Sequence, residues 1–565
     1  MAAASDVRID GNDAIASDAS VVSGDEAHHS YAVQGGIARA ATLTSIGNLL
    51  SRIVGLAFVT IKSFFFGNGQ AASAFELAAN IPTQFYDLLV GGMLSSALVP
   101  TFSALSTDEA NQRGAKTSGR ADQSAYGQLL GALIGLATLT LAVLVGLLWL
   151  AALPMAEFIS GGRHQDPAVV AALLRLTIPA ILFFNLSGIL TAALQARRRF
   201  GYTAFTATLF NVAAIVCILL FQAHIGARSL ALGLVAGSVV QVLMQVPGLR
   251  GVPIKLSLNW RLPGVAQVVR LFLPVAGGLV LAQIAVQVSF ILASDISEQG
   301  PATMRYAAQV IQFPLGMVVS AVAAAILPPL SAATGDDFKS TLAQGLRLVW
   351  TLIVPASVGL YVLSAPLIAL LFEHGAFGPQ ATAYTASALR AAVPGLLFAS
   401  LDTPLIFAFY AKRDTRTPTL IGLASTLFYL AYVFALSSLA RGGRRPFTLD
   451  DLIFANSLKT GVDAALMGAF LWRKIGGLRR YDLLPVGIKV MAASVVMGGV
   501  VWVVMETLAA RYSASARGGS AVISIGGALA GAGVYLACAS FLRLPDLAAM
   551  VSLLRRRLSL HHRSD

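Results

Sequence analysis

The sequence predicts an all-α polytopic membrane protein with fourteen transmembrane helices: two six-helix lobes in parallel repeat plus two C-terminal helices. Three observations carry this. Only 12% of the 565 residues are charged and 56% are hydrophobic, about half the charge of an ordinary soluble chain. Apolar runs of about 20 residues, enough to cross a hydrocarbon core as helices, recur from residue 37 to residue 543. Finally, Ala97-Leu98-Val99-Pro100-Thr101-Phe102-Ser103-Ala104 returns, altered, as Ala325-Ile326-Leu327-Pro328-Pro329-Leu330-Ser331-Ala332. Ala196-Arg197-Arg198 with Tyr202-Thr203 is matched by Ala411-Lys412-Arg413 with Thr417-Pro418. The two offsets, 228 and 215 residues, differ by one insertion of 13.

In chain order, residues 1–36 carry six Asp/Glu and one Arg among Ala and Ser. Such a stretch buries too little apolar surface to fold alone and reads as a disordered cytoplasmic tail. No basic segment precedes a short apolar core, so no cleavable signal peptide is expected. Spans follow at about 37–66, 71–105, 125–153, 168–195, 202–223 and 226–247, the N-lobe of residues 37–250. Those at 264–293, 302–333, 345–372, 382–411, 417–440 and 452–473 make the C-lobe of residues 262–475. Spans at 484–509 and 520–543 complete the set within residues 484–545, and residues 546–565 form a basic cytoplasmic tail. One set of alternate loops holds 17 Lys and Arg and the other 7, which places both termini in the cytoplasm. The cluster Arg441–Arg445 on the outer side is an exception without an account. Equivalent loops fall on one side of the membrane, so the repeat is parallel rather than inverted, the halves being related about the membrane normal.

Net charge of +13 would suit a nucleic-acid binder, but the Lys and Arg lie mainly in short loops, where topology explains them; no nucleic acid is implied. Cys217 and Cys538 sit inside apolar runs without disulfide or zinc spacing. The seven His lie in loops or tails and form no metal pair. No clustered carboxylates and no nucleotide-binding loop stand outside the membrane, so the chain does not read as an enzyme.

Charge inside a span costs about 2.5–3.5 kcal/mol on insertion scales, so it faces a cavity or a partner. Arg52 lies deep in the first span, beside Ser51, with Lys62 further along; Glu76 and Asp87 share a face of the second; Arg305 is in the eighth. A guanidinium at Arg52 suits two-pronged binding of phosphate, and Glu76 and Asp87 are candidate partners for Arg52 and Lys62. Arg175, Arg390, Asp402, Lys489 and Glu506 lie in other spans, and Lys459 and Asp463 have the spacing of a pair within one helix. Pro82 and Pro100 interrupt the second span, Pro314 and Pro328 the eighth, and Gly91-Gly92 allows flexing. Proline removes a backbone hydrogen bond and favours a bend, so these are candidate hinges for rocking lobes; bent static helices are the alternative.

Several segments carry a resemblance: Ser51-Arg52-Ile53-Val54-Gly55, Phe66-Gly67, Ala74-Phe75, Ile81-Pro82, Ser96-Ala97-Leu98-Val99-Pro100, Gln312-Phe313-Pro314-Leu315-Gly316, Ile326-Leu327-Pro328 and Leu371-Phe372-Glu373-His374-Gly375-Ala376-Phe377. In them the chain, over about residues 40–545, resembles the MurJ/MviN family. These are lipid II flippases of the multidrug/oligosaccharidyl-lipid/polysaccharide exporter superfamily. The resemblance implies fourteen helices in two alternately opening lobes in the bacterial inner membrane. It also implies an undecaprenyl-diphosphate-linked peptidoglycan precursor as cargo, and a lipid-tail groove formed with the last two spans. Membrane lipids and proteins of cell-wall synthesis are the implied partners. The chain departs from the family's pattern in the cleft. Phe58-Val59 stand for an Arg-Asp pair, Ser73 for an Asp, and Tyr86-Asp87 for Arg residues. Ala308-Gln309 and Gln312 stand for an Asp-Arg and a Glu. Of the family's cavity cations only Arg52 stays in register, while Lys62 and Arg305 lie one turn from lost positions and are expected to restore part of the charge.

The leading reading is therefore a flippase working by alternating access, with no cofactor and with the membrane potential or an ion gradient as energy source. Alternatives are a flippase for another polyprenyl-linked saccharide, a cation-coupled drug antiporter using Glu76 or Asp87, and a transport-inactive relative.

Overall fold

The computed structural model describes residues 19–88, 97–112, 119–160, 164–319, 329–443, 445–512 and 518–544, with Val322 and Ile326. Helix α1 (Ala19–Phe66) is 48 residues long. It corrects the expectation of a disordered tail reaching residue 36: residues 19–36 continue α1. Extending a formed helix costs far less than nucleating one, and no proline interrupts this stretch. The N-lobe continues with α2 (Gln70–Tyr86), α3 (Val99–Gln112), α4 (Gly119–Leu150), α5 (Ala152–Ser160), α6 (Pro167–Thr177), α7 (Ala180–Ala196), α8 (Phe200–Ala204), α9 (Thr206–Ile225) and α10 (Arg228–Gln245). Then come α11 (Pro263–Ile296), α12 (Gly300–Pro314), α13 (Gly335–Val362), α14 (Ser364–Phe372), α15 (Pro379–Ala411), α16 (Arg416–Arg441) and α17 (Leu449–Ile475). Helices α18 (Leu483–Arg511) and α19 (Gly519–Phe541) close the chain.

Among the described residues, 11 helices are long and apolar enough to cross a membrane. Three of the fourteen expected spans, 71–105, 302–333 and 452–473, fall short of that measure. The first two are broken into shorter helices, of 17 residues in α2 and 15 in α12. The third, α17, carries Asp450, Asp451, Lys459, Asp463, Arg473 and Lys474.

In the N-lobe α10 packs between α9 and α7, α1 lies on α9, α2 on α6 and α4 on α7. In the C-lobe α15 packs between α17 and α13, with α12 and α16 beside them. Each lobe has two apolar cores, and α18 and α19 share a fifth with α13. Helix α11, assigned to the C-lobe by sequence, straddles both: Val265 and Val268 are buried in an N-lobe core with Leu129 and Leu194, and its far end packs on α12 and α16.

The repeat is visible as backbone geometry. Helix α7 ends with Arg198 N–H on the Gln195 carbonyl and Arg199 N–H on Leu194; α15 ends with Arg413 N–H on Tyr410 and Asp414 N–H on Phe409. These are one Schellman-type turn, used twice at the 215-residue offset, with left-handed Arg198 (φ 58) and Arg413 (φ 57). At the 228-residue offset, Asp87 N–H reaches the Gln84 and Thr83 carbonyls while Leu315 N–H reaches Gln312 and Ile311. A wide π-type turn follows in both halves, at residues 87–88 and Leu315–Val319. The helices thus break in register although Pro82 and Pro314 do not correspond. Pro82 is buried inside α2, Pro314 ends α12 and Pro100 lies near the start of α3. Gly91, Gly92 and Pro328 lie outside the described residues.

The lobes meet at the end of the bundle where α1 stops. Gly67 (φ 60) and Gly375 (φ 61) each turn the chain in the left-handed region. Ala376 N–H donates to the Phe64 carbonyl at 2.8 Å, and the Tyr306 hydroxyl to the Gly67 carbonyl at 2.6 Å. A Cβ on Gly67 would meet the Ala376 carbonyl oxygen at 2.7 Å, and one on Gly375 would strike that of Phe64. Asn68 donates to Gln299 and Thr303, and Gln165 to the Glu298 carbonyl. Buried Phe372 and Phe377 pack on Tyr306 at 5.3 and 5.5 Å between centroids. The segment Leu371–Phe377 is therefore the C-lobe half of a seal whose N-lobe half is the α1–α2 turn.

Candidate substrate cavity

Between the lobes lies a cavity of about 420 Å³, walled chiefly by α1, α2, α9 and α12. Residues three or four apart share a helix face. Ser51, Arg52, Gly55, Val59 and Lys62 therefore line it from α1, and Arg305 and Gln309 from α12. Glu76, Ala79 and Thr83 face it from α2.

The electrostatics turn on one carboxylate. Glu76 is buried and ion-paired with the buried ammonium of Lys62, which stands 4.5 Å from the centre of the Tyr306 ring. Arg305, 49% exposed, brings Nε to 3.5 Å from the other Glu76 oxygen. Among the described residues Arg52 has no carboxylate partner: its Nη1 donates to the backbone carbonyl of Gln312 at 2.7 Å. Two cations thus face one anion, and a third lines the same cavity. Lys62 lines the cavity with its buried ammonium paired to Glu76, one of the partners the sequence offered, while Arg305 is half exposed there.

The other candidates divide. Gln312 lines a neighbouring pocket of about 320 Å³ that shares Arg305 with the main cavity and runs into the C-lobe past Ser289 and Asn456. Asp87 is exposed at the broken end of α2 and does not line the cavity; it is not the partner of Arg52. Asn48 and Asn211 were missed, as was Thr83. A search for charge in apolar runs passes over neutral amides and hydroxyls, although an amide within a span is a signal of the same kind. Of the charges elsewhere among the described residues, Asp402 keeps one buried oxygen without a partner, and others are answered locally. Arg390 donates to Ser364, Lys489 to the Leu542 carbonyl, and Asp463 accepts from Ser425 on α16. Beside the turn after α12 opens an apolar groove of about 430 Å³, between Phe313 and Pro314, Pro355 and Leu360 of α13, Met497 of α18 and Tyr535 of α19.

Two lobes around a cleft that is charged in its middle and apolar along one side define a multi-pass membrane transporter rather than an enzyme. The comparisons narrow this. A profile of the family described as lipid II flippase MurJ matches residues 62–516, and the chain belongs to that family. It is 29% identical over 481 residues to the probable lipid II flippase MurJ of Haemophilus influenzae (strain ATCC 51907 / DSM 11121 / KW20 / Rd), covering 80% of this chain and 90% of the relative. It is 30% identical over 399 residues to the lipid II flippase MurJ of Burkholderia cenocepacia (strain J2315), covering 68% and 75%. A solved lipid II flippase MurJ in an inward closed conformation superposes with a TM-score of 0.73 at 21% identity, over 89% of this chain and 99% of that one. An inward-facing multidrug resistance MATE family transporter of the MOP superfamily gives 0.62 at 15% identity, over 78% and 99%. Both show a shared fold. The matched profile begins at Lys62, so Arg52 and Ser51 lie ahead of it.

Proposed function

We propose that this chain carries an undecaprenyl-diphosphate-linked peptidoglycan precursor, lipid II, from the inner to the outer leaflet of a bacterial inner membrane. The observation that carries the reading is the pairing of a cationic cavity between the lobes with an apolar groove along the same helix, α12. A diphosphate headgroup cannot enter hydrocarbon, because desolvating its charge costs tens of kcal/mol on idealised estimates. Arg52, Lys62 and Arg305 against Glu76 leave two positive charges, matching the two negative charges of a diphosphate diester. The groove beside α18 and α19 then holds the lipid tail while the head moves. A cation-coupled antiporter has less support: Glu76 is already engaged by two cations, and Asp87 stands outside the cavity.

In this reading the chain crosses the membrane fourteen times. The three spans beyond the apolar eleven are α2 with α3, α12 with its continuation, and α17; they are polar because they face the cleft or the helices around it. Both termini lie in the cytoplasm, the seal at Gly67 and Gly375 faces the periplasm, and the cavity is poised toward the cytoplasm. The membrane potential favours return of the empty, cationic carrier. The test is rescue of cells depleted of their lipid II flippase. Rescue by this chain, with loss of rescue in Arg52→Ala and Arg305→Ala variants present at normal levels, supports the reading. Failure of the unaltered chain, with another polyprenyl saccharide accumulating when the chain is depleted from its own cells, would assign a different cargo.

A further inference from the structure

The two cavity cations reach in opposite directions. Arg52 belongs to the N-lobe and is held by α12 of the C-lobe. Arg305 belongs to α12 and faces Glu76 of the N-lobe. In the empty carrier each guanidinium is held by an acceptor on the lobe it does not belong to.

The Arg52 contact depends on the break in α12. After Pro314 the helix widens into the π-type turn Leu315–Val319, a device concentrated at functional sites. The Gln312 carbonyl accepts from the Leu315 N–H with one lone pair and from Arg52 with the other. The guanidinium packs against Gly316: a Cβ there would come within 1.7 Å of the guanidinium carbon. Only a glycine leaves this notch open.

We propose that these crossed contacts latch the lobes of the empty carrier, that Gly316 is the positioning residue that seats Arg52 in the latch, and that a diphosphate headgroup releases it by drawing both guanidinium groups onto itself. The proposal rests on the diphosphate reading of the cargo. The exchange runs one way for a chemical reason. A guanidinium gains a paired, charge-assisted contact with phosphate in place of a single bond to a neutral carbonyl; a neutral alcohol or sugar offers no such gain. A ligand shifts a two-state equilibrium only by its differential affinity for the states, and that difference arises here because the latched state spends both cations internally. Lys62 completes the device. When Arg305 leaves, Glu76 keeps its buried ammonium partner, so no carboxylate is stranded in the interior.

The test uses the full chain in lipid nanodiscs. Cys217→Ala and Cys538→Ala remove the native thiols, and spin labels go on Gly201→Cys and Arg416→Cys, exposed positions beside the equivalent turns of the two lobes. Farnesyl diphosphate is the probe and farnesol the neutral control, with binding followed by the thermal shift of the protein. The latch predicts that farnesyl diphosphate changes the inter-lobe distance distribution and farnesol does not. It predicts that Gly316→Ala, with every charge intact, shows the changed distribution without ligand, binds farnesyl diphosphate several-fold more tightly, and flips its cargo more slowly. Binding of the diphosphate with no change in distance overturns the latch alone, as does a Gly316→Ala variant with wild-type distances and affinity. Absence of diphosphate binding overturns the cargo reading and the latch with it. Should Gly316→Ala fail to fold, the contrast between farnesyl diphosphate and farnesol in the unaltered chain decides.

Discussion

Helices α2 and α12 are the same element built twice. Both break at the same repeat position with the same doubled acceptance of one backbone N–H, Asp87 in one and Leu315 in the other. Their uses diverge. The Gln84 side chain of α2 donates to Gln287 at 3.1 Å, a neutral contact across the lobes. The equivalent Gln312 carbonyl of α12 holds Arg52 beside the cavity. The residue at the break is an exposed carboxylate, Asp87, in α2 and the apolar Leu315 in α12. Duplication therefore preserved where the backbone bends, while charge was placed independently in each copy, and only one copy of the break became part of the cationic site.

The sharpest way to break this comparison is to remove the cations. Arg52→Ala and Arg305→Ala should each weaken diphosphate binding by about 1.5–3 kcal/mol, as loss of a charged hydrogen bond does, and abolish transport. Asp87→Asn, at the matching break in α2, should leave headgroup affinity near wild type. Binding and in vitro flipping assays on the three variants check this, and an Asp87 effect as large as that of Arg52 would end the asymmetry.

Next in size is the buried pair. Glu76→Gln leaves the buried Lys62 ammonium without its partner, a change that costs about 3–5 kcal/mol, and Lys62→Met costs less because Arg305 still faces Glu76. The double variant should recover most of the stability, since it removes both charges together; thermal unfolding of all four proteins gives the coupling. If the double variant is no better than the singles, the pair is not the unit described here.

The seal should respond less. Gly375→Ala demands a side chain in the left-handed region and against the Phe64 carbonyl. It should lower Tm by the equivalent of at least about 1–2 kcal/mol and open the end of the cleft that is shut here, read by cysteine accessibility near Asn68.

The smallest effects belong to the repeated turns. Arg198→Gly relieves a left-handed non-glycine residue and should stabilise by up to about 1–2 kcal/mol; Arg413→Gly should match it if the turns are equivalent in energy as in shape. The turns differ in one respect. Asp414, next to Arg413, is held at about 2 by the Lys474 ammonium and then by Thr417. Its folded value lies below the usual 3.8, so its contribution is complete above about pH 4 and fades as pH falls toward 2. The Tm difference between wild type and Asp414→Asn should therefore be constant at neutral pH and vanish in that acid window, with Asp414→Asn the flatter curve. The equivalent position in the N-lobe is Arg199, which has no carboxylate.

Much of the architecture was legible. The recurrence of Ala196-Arg197-Arg198 as Ala411-Lys412-Arg413 marked two turns that share the two hydrogen bonds closing them. Ionisable residues in apolar runs located Arg52, Lys62, Glu76 and Arg305, because hydrocarbon tolerates charge only where it is answered. Partners were harder to assign. Glu76 was a candidate partner for Lys62 and does pair with it. Arg52, offered Glu76 or Asp87, takes the Gln312 carbonyl instead, a group every residue possesses and no composition reveals. Asn48 and Asn211 escaped notice because only ionisable residues were sought in the apolar runs.

What the chain determines by itself is what depends on neighbours along the sequence: which stretches cross a membrane, where helices end, and that the pattern occurs twice. These follow from local periodicity and from the insertion cost of each side chain. What only the tertiary structure decided is which charges remain available. Glu76 of α2 answers Lys62 of α1 across the turn between them, Arg305 reaches toward it from more than two hundred residues away, and the missing side chain of Gly316 makes room for Arg52. Electrostatic energy depends on distance in space and on the water excluded around it, and neither is written in the order of the residues.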